Sequence, residues 1–344
     1  MPVDIALLDL ERASQAELLG QFELARAAFA VDRPDAPPPT FDEVVDRLRM
    51  RPAGIGRKRL WTAHDTGEVV GLAVVLFPEA ENTGLAVMEL RVHPRSRNRG
   101  VATRLLQEVL PILRAENRQL VTGMGVTAGG DGERWAAAWG FTTVQGFVLQ
   151  VLTIADVDPA TWRVPVPAGY RLERWRGTAP EALLASYAEA RSAIHDAPTG
   201  ESSYRQPEWT PERVRAAEEE ARRRGAELST VVAVHEATGA VAGLTEIETH
   251  PGQPDLAFQA DTAVLAGHRG RGLGRTVKAA MTRWLVAEKP GIARVATTTD
   301  AGNVHMISVN HQVGYRTTRT MIDVEAPLAT LEAELRKRSH ADWS

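Results

Sequence analysis

The sequence predicts a mixed α/β (α+β) protein built from two tandem copies of one unit, each a central β-sheet flanked by helices. Three observations predict it. Short motifs recur in the same order at a nearly constant spacing. In each copy a turn rich in Arg and Gly joins a strand to an amphipathic helix. The chain has 344 residues, which suits two cores better than one.

The repeat is domain-sized. Thr66-Gly67-Glu68-Val69-Val70-Gly71-Leu72 returns as Thr238-Gly239-Ala240-Val241-Ala242-Gly243-Leu244, an offset of 243 − 71 = 172. Each reads as a tight hairpin turn leading into a strand. Arg97-Asn98-Arg99-Gly100-Val101-Ala102 returns as Arg269-Gly270-Arg271-Gly272-Leu273-Gly274, again offset by 272 − 100 = 172. Trp139-Gly140-Phe141 returns as Val313-Gly314-Tyr315, offset by 314 − 140 = 174. Three ordered matches point to duplication. They predict a first copy over 1–155, a linker over 156–167, a second copy over 168–326 and a charged terminal helix or tail over 327–344. The linker, with Pro159, Pro165 and Pro167, reads as extended.

Composition narrows the class. A hydrophobic share of 44% and a charged share of 24% are those of a globular protein. A net charge of −4 gives no general pull toward nucleic acid or anionic membrane. Met1-Pro2-Val3-Asp4-Ile5 shows no secretory pattern, and no apolar run approaches a bilayer span. A cytoplasmic protein, monomer or homodimer, is expected. Cysteine is absent, which removes disulfides, thiolate nucleophiles and Cys-based metal sites; no metal is expected.

The Arg/Gly turns carry the chemistry. In the second copy a strand over 257–265 precedes the turn, and Leu273, Val277, Ala280, Met281, Trp284 and Leu285 follow at helical spacing. In the first copy the strand spans 83–93, the turn 94–99, and Val101, Leu105, Leu106, Val109 and Leu110 form the apolar helical face. A Gly-rich turn opening a helix presents unpaired backbone N–H groups and the positive end of the helix dipole, a setting suited to pyrophosphate. No Gly-Lys-Ser/Thr follows, which excludes a Walker loop. The third glycine of a Rossmann loop is missing too.

Arg/Gln-x-x-Gly-x-Gly/Ala after a strand resembles the signature of the GNAT superfamily of acyl-CoA-dependent N-acyltransferases, and the match falls in both copies. The resemblance implies acetyl-CoA as cofactor, with the pyrophosphate held by Arg97, Arg99, Gly100, Val101 and Ala102 in the first copy. In the second copy it implies Arg269, Gly270, Arg271, Gly272, Leu273, Gly274 and Arg275. It also implies backbone pairing between the pantetheine arm and the strand before each turn, at Leu90 to Val92 and at Ala263, Val264 and Leu265. The duplicated arrangement is similar to that of two-domain acetyltransferases.

The family's later motif, an Asn after the next strand and a helix ending in Gly-Phe/Tyr, matches the second copy at Asn303, Asn310, Gly314 and Tyr315. The first copy lacks that Asn. The resemblance places a general-acid Tyr four residues before the glycine, where this chain has Ala136 and Asn310; Tyr315 or a water is left for that role. Attack by a neutral amine needs a proton acceptor. Asp261, matched with Glu89 in the first copy, is the leading candidate. Glu246 and Glu248 share one strand face opposite the apolar Val74 and Leu76 of the first copy. That face either binds a cationic amine, supplies the base, or is merely solvated. These features predict an N-acetyltransferase acting by direct attack of a small-molecule primary amine, with the second copy catalytic. A peptide acceptor or a silent acyl-CoA-binding module is the alternative.

Overall fold

The computed structural model describes residues 3–33, 38–50 and 56–341. Met1 and Pro2 of the N-terminal segment and residues 342–344 of the tail lie outside the described residues. The elements run in chain order as β1 (Asp4–Leu7), α1 (Gln15–Asp32), α2 (Phe41–Arg49), β2 (Arg57–Asp65), β3 (Glu68–Phe77), β4 (Leu85–Val92), α3 (Val101–Ala115), β5 (Leu120–Thr127) and α4 (Asp131–Ala138). They continue as β6 (Thr142–Thr153), β7 (Tyr170–Arg176), α5 (Glu181–Ser192), α6 (Pro211–Arg223), β8 (Glu227–His235), β9 (Val241–Thr249), β10 (Leu256–Val264), α7 (Leu273–Glu288), β11 (Arg294–Asp300), α8 (Val304–Val313), β12 (Arg316–Pro327) and α9 (Leu328–Ala341). Among the described residues no helix is long and apolar enough to cross a membrane.

The chain forms two compact units. Unit 1 contains Met1–Gln145, Glu201–Arg205 and Met321–Ser344; unit 2 contains Gly146–Gly200 and Gln206–Thr320. The strands of unit 1 lie in the order β1-β2-β3-β4-β5-β12. Only β4 and β5 run parallel, as the intervening helix α3 requires. One face packs α3, with Leu105, Leu106, Val109 and Leu113 buried together with Leu328 and Leu331 of α9. The other face carries α1 and α2, where Leu24, Val44 and Leu48 meet Leu60 and Leu72. Both of those helices begin with a capping box, Ser14 with Glu17 and Thr40 with Glu43.

Unit 2 repeats the plan in the order β7-β8-β9-β10-β11-β6, with β10 and β11 parallel. Its α7 packs on one face with Val277, Met281 and Trp284 against Val231, Ala233 and Ile247. Helices α5 and α6 cover the other, where Leu183, Tyr187 and Val214 meet Val232, Val234 and Leu244.

Two features differ from a division at residues 155 and 168. The last strand of each copy completes the other unit's sheet. Strand β6 pairs antiparallel with β11, from Arg294↔Thr153 to Asp300↔Phe147. Strand β12 pairs with β5, from Met321↔Thr127 to Pro327↔Leu120. In a duplicated chain both sheets offer an equivalent edge beside the middle strand, so the final strands can exchange without changing either sheet. The segment over 156–167 is not an extended linker either. Asp158 accepts a hydrogen bond from the Ala160 N–H at 2.9 Å and opens a 3₁₀ turn over Pro159–Trp162. Trp162 is 2% exposed within unit 2, and its indole N–H donates to the Val313 carbonyl at 2.8 Å. Proline at the first position of a helical turn is compatible with that fold.

Candidate active site

In both units the Arg/Gly turn has the same backbone. Asn98 (φ 59°) and Gly100 (φ 77°) are left-handed in unit 1, as are Gly270 (φ 75°) and Gly272 (φ 80°) in unit 2. Neither α3 nor α7 has a side-chain cap on its N-terminal N–H groups. The helices thus begin with donors unclaimed by a cap and with the positive end of the dipole free. A pyrophosphate fits this chemistry. Gly100, Val101 and Ala102, and Gly272, Leu273, Gly274 and Arg275, supply the backbone. Arg99, Arg271 and Arg275 are exposed beside it.

Arg97 and Arg269 are differently employed. Arg97 Nε donates to the Val92 carbonyl at 3.4 Å, and its guanidinium pairs with Asp32 at 2.7 Å and Asp131 at 3.1 Å. Arg269 Nε donates to the Val264 carbonyl at 3.0 Å and pairs with Asp196 at 2.5 Å. Both latch the turn onto the strand before it, so their contribution to anion binding is the shape of the loop. His268 is held by Tyr170 Oη at 2.7 Å; burial, His235 and Arg271 hold its imidazole below the usual range.

The strand before each turn parts from its parallel neighbour. β4 pairs with β5 only from Leu85↔Leu120 to Val87↔Thr122. β10 pairs with β11 only from Leu256↔Arg294 to Phe258↔Ala296. Beyond that point Thr297 Oγ1 donates to the Gln259 carbonyl at 3.0 Å, and the strands diverge. The Leu265 N–H donates to the Ala242 carbonyl on the β9 side at 3.0 Å. Alternation turns the N–H of Val264 the other way, into the opening. The His93 N–H, bonded to the Val70 carbonyl at 2.9 Å, fixes the same alternation in unit 1, turning Val92 into the opening there. Leu90 stands two residues earlier, with Val92 on the same strand face, and Ala263 and Leu265 flank Val264.

Unit 2 has a β-bulge where unit 1 has none. Gln259 pairs with Ile247 and Thr262 with Thr245, so Ala260 and Asp261 together oppose Glu246. In unit 1 Glu89 alone opposes Val74. The bulge brings Asp261 beside a buried charge cluster. Arg191 of α5 pairs with Glu246 Oε2 at 3.1 Å and with Asp261 Oδ2 at 3.5 Å. The Tyr187 hydroxyl donates to Glu246 Oε1, and the Arg191 guanidinium stacks 3.4 Å from the Trp209 ring centroid. The Glu246 side chain is 5% exposed and that of Asp261 is 33% exposed. Burial raises the Glu246 carboxyl above the usual carboxylate range; Arg191 opposes that shift and Asp261 adds to it. Sequence reasoning missed Tyr187 and Arg191. Arg191 lies on a helix rich in Ala, where an Arg ordinarily faces solvent, and nothing in the sequence locates its partners.

Other expected residues are committed elsewhere. Glu248 is paired with Arg224 at 3.0 Å, so it is neither a free base nor simply solvated. Tyr315 is 2% exposed, and its hydroxyl donates to Gln259 Oε1 at 3.1 Å. Burial pushes this phenol far above its ordinary range, and its proton is committed to Gln259, so the hydroxyl serves as a hydrogen-bond donor within the core. Asn303 caps α8, accepting from the Met306 N–H at 3.0 Å. Asn310 is 1% exposed and donates to Gln150 at 2.8 Å and Thr299 at 3.1 Å, tying α8 to β6 and β11. The Asn303 side-chain carbonyl is held by its cap, and the Asn310 amide is buried with its Oδ1 unpaired. In unit 1 burial works against the charge of Glu89, but Arg91 and Arg47 outweigh it and hold the carboxyl below the usual range.

A sheet whose parallel middle strands diverge beside an uncapped helix start defines an acyltransferase fold, and comparison with known proteins bears this out. The model of the acetyltransferase (GNAT) family matches residues 21–129 and 193–315. The chain belongs to that family. It is an acetyl-CoA-dependent acetyltransferase with two GNAT-like domains. It is 26% identical over 325 residues to the mycothiol acetyltransferase of Kocuria rhizophila, covering 90% of this chain and 94% of that one. Among solved structures, a tandem GNAT protein from the clavulanic acid biosynthesis pathway superposes with a TM-score of 0.77 at 26% identity, covering 95% of this chain and 99% of that one. A GCN5-related N-acetyltransferase from Sphaerobacter thermophilus has a TM-score of 0.72 at 18% identity, covering 94% and 96%.

Proposed function

We propose that unit 2 transfers an acetyl group from acetyl-CoA to the primary amine of a small molecule by direct attack. The observation that carries this reading is the Tyr187–Arg191–Glu246–Asp261 cluster, set against the bulge at the mouth of the β10/β11 opening. Unit 1 has the apolar Val74 where unit 2 has Glu246. The turn at 269–275 would hold the pyrophosphate, and the strand at Ala263, Val264 and Leu265 would align the pantetheine arm. The Val264 N–H would donate to the carbonyl oxygen as charge develops there. Glu246, its carboxyl raised above the usual range by burial, is placed to exchange a proton with the amine. Asp261, more exposed, would hold a cationic acceptor at the entrance.

A small acceptor is favoured by likeness to a mycothiol acetyltransferase and to a tandem GNAT protein of clavulanic acid biosynthesis. We place the protein in the cytoplasm. Release of CoA thiol from acetyl-CoA with a panel of amines tests the reading, comparing wild type with Glu246→Gln. Amine-dependent release lost in the variant, with CoA affinity retained, is expected. Tight CoA binding without turnover on any amine would instead favour a silent acyl-CoA-binding module.

A further inference from the structure

The tyrosine that the family places four residues before the final glycine is absent, and Asn310 in its place is buried, its Nδ2 committed to Gln150 and Thr299. A different titratable group packs against Tyr315, whose hydroxyl reaches Gln259 where β10 and β11 part. Lys278 on α7 is 1% exposed, its Nζ 5.0 Å from the centroid of the Tyr315 ring. Its counterpart in unit 1, six residues beyond the turn glycine, is Leu106, which is 0% exposed. The exchange is not isolated. In unit 1 Ala73, Met88 and Phe141 occupy the places that Thr245, Gln259 and Tyr315 hold in unit 2. These three form a buried line, with Gln259 Nε2 donating to Thr245 Oγ1 at 2.6 Å and Tyr315 donating to Gln259 at 3.1 Å. Unit 2 has thus replaced apolar core by polar core where β10 and β11 part.

The helix also brings Lys278 to the right height. α7 runs back along β10, so six residues carry the lysine ~9 Å from the turn. Three residues of strand cover ~10 Å from Val264, which is the level of the bulge at Asp261. Among the described residues no carboxylate compensates the charge. The faces of β8, β9 and β10 packed on α7 present Val231, Ala233, Ile247, Ala257 and Gln259. On α8, His305 and His311 are exposed. Among the described residues Tyr315 is the titratable group that packs against the amine. Burial alone pushes the lysine down to about 7.

We propose that Lys278 is the proton donor to the departing sulfur in unit 2, in place of the missing tyrosine. This rests on the function proposed above. As the amine nitrogen bonds to the carbonyl carbon and the C–S bond breaks, the Lys278 ammonium gives a proton to the sulfur and becomes neutral. The surplus proton of the amine leaves on the Glu246 side, and Lys278 regains one from water that enters the opening once CoA has left.

The test needs no acceptor. The thiol of CoA bound to the full chain is titrated by thiolate absorbance in wild type and Lys278→Met, with desulfo-CoA as the ligand lacking sulfur. In wild type the bound thiol should ionise at least one pH unit lower than in the variant. At pH 8 the preference for CoA over desulfo-CoA should fall several-fold on substitution. If Lys278→Met fails to fold, Nζ-labelled lysine in the wild type gives a second reading. The chain has four lysines, Lys58, Lys278, Lys289 and Lys337, and the Lys278 titration should move with CoA but not with desulfo-CoA. Equal thiol titration in the two proteins, or a Lys278 signal indifferent to the sulfur, would overturn the inference and leave the proposed function standing. Failure of unit 2 to bind CoA would overturn both.

Discussion

Burial and charge pull Glu246 in opposite directions, and their balance decides what the residue can do. A carboxyl raised above its ordinary range accepts a proton only above that raised value, so kcat/KM should fall on the acid side at a pH higher than an exposed carboxylate would give. Glu246→Gln should lower amine-dependent turnover by about 10²-fold or more and remove that acid limb. Steady-state kinetics across pH checks both. Tyr315 behaves otherwise. Tyr315→Phe leaves Gln259 Oε1 short of a donor and should cost about 1–3 kcal/mol of stability by denaturant titration, while kcat changes less than the stability loss would suggest for a catalytic acid. In unit 1, burial pushes Asp323 up to about 6 from 3.8, although it accepts a 2.8 Å hydrogen bond from the Gly125 N–H. Between those values the folded chain holds a proton that the unfolded chain has released. Stability therefore falls as pH rises through that window and levels off above it, by at most about 3 kcal/mol. Asp323→Asn keeps the acceptor and cannot ionise, so its melting temperature at pH 8 should exceed that of the wild type, with the difference shrinking toward pH 4.

At the level of elements, much was legible because backbone chemistry announces itself in glycine and spacing. The strand–turn–helix units at 97–102 and 269–274, the hairpins before them and the flanking helices all follow from local pattern. Asp261 was legible as a candidate because Glu89 matches it in the first copy, and Glu246 because the copies differ there. The bulge was not, since inserting one residue into a strand changes no composition. It nonetheless decides that Asp261 reaches Arg191. The buried partners were equally hidden: Lys278 reads as a solvent-facing interruption of an apolar helix until packing shows otherwise. Likewise Arg97 and Arg269 fit an anion loop in sequence, and only the carboxylates of Asp32 and Asp196, distant in the chain, reveal them as latches. The uncapped start of α7 makes a direct prediction. Gly272→Glu sets a negative charge, on a left-handed residue, where the pyrophosphate would lie, and CoA affinity by calorimetry should drop at least ~100-fold. Unchanged affinity would remove the turn from the binding site.

For the whole chain, the duplication was legible and the exchange of final strands was not, because equivalent edges accept equivalent strands. The consequence is testable. A fragment ending at residue 155 lacks β12 and α9, and with them the buried Val324, Leu328 and Leu331 of unit 1. It should be unfolded or loosely packed by amide-proton dispersion, and supplying 321–344 should restore order. A well-dispersed spectrum from the short fragment alone would contradict that. The duplication also leaves two candidate acetyl-CoA turns, and among the described residues the one in unit 2 has the buried Arg191–Glu246–Asp261 cluster beside it. The central claim is therefore tested most directly by amine-dependent thiol release in Gly272→Glu and Gly100→Glu side by side. The predicted result is a loss of turnover at Gly272 at least tenfold greater than at Gly100, in proteins that remain folded. Equal losses, or a greater loss at Gly100, would contradict it.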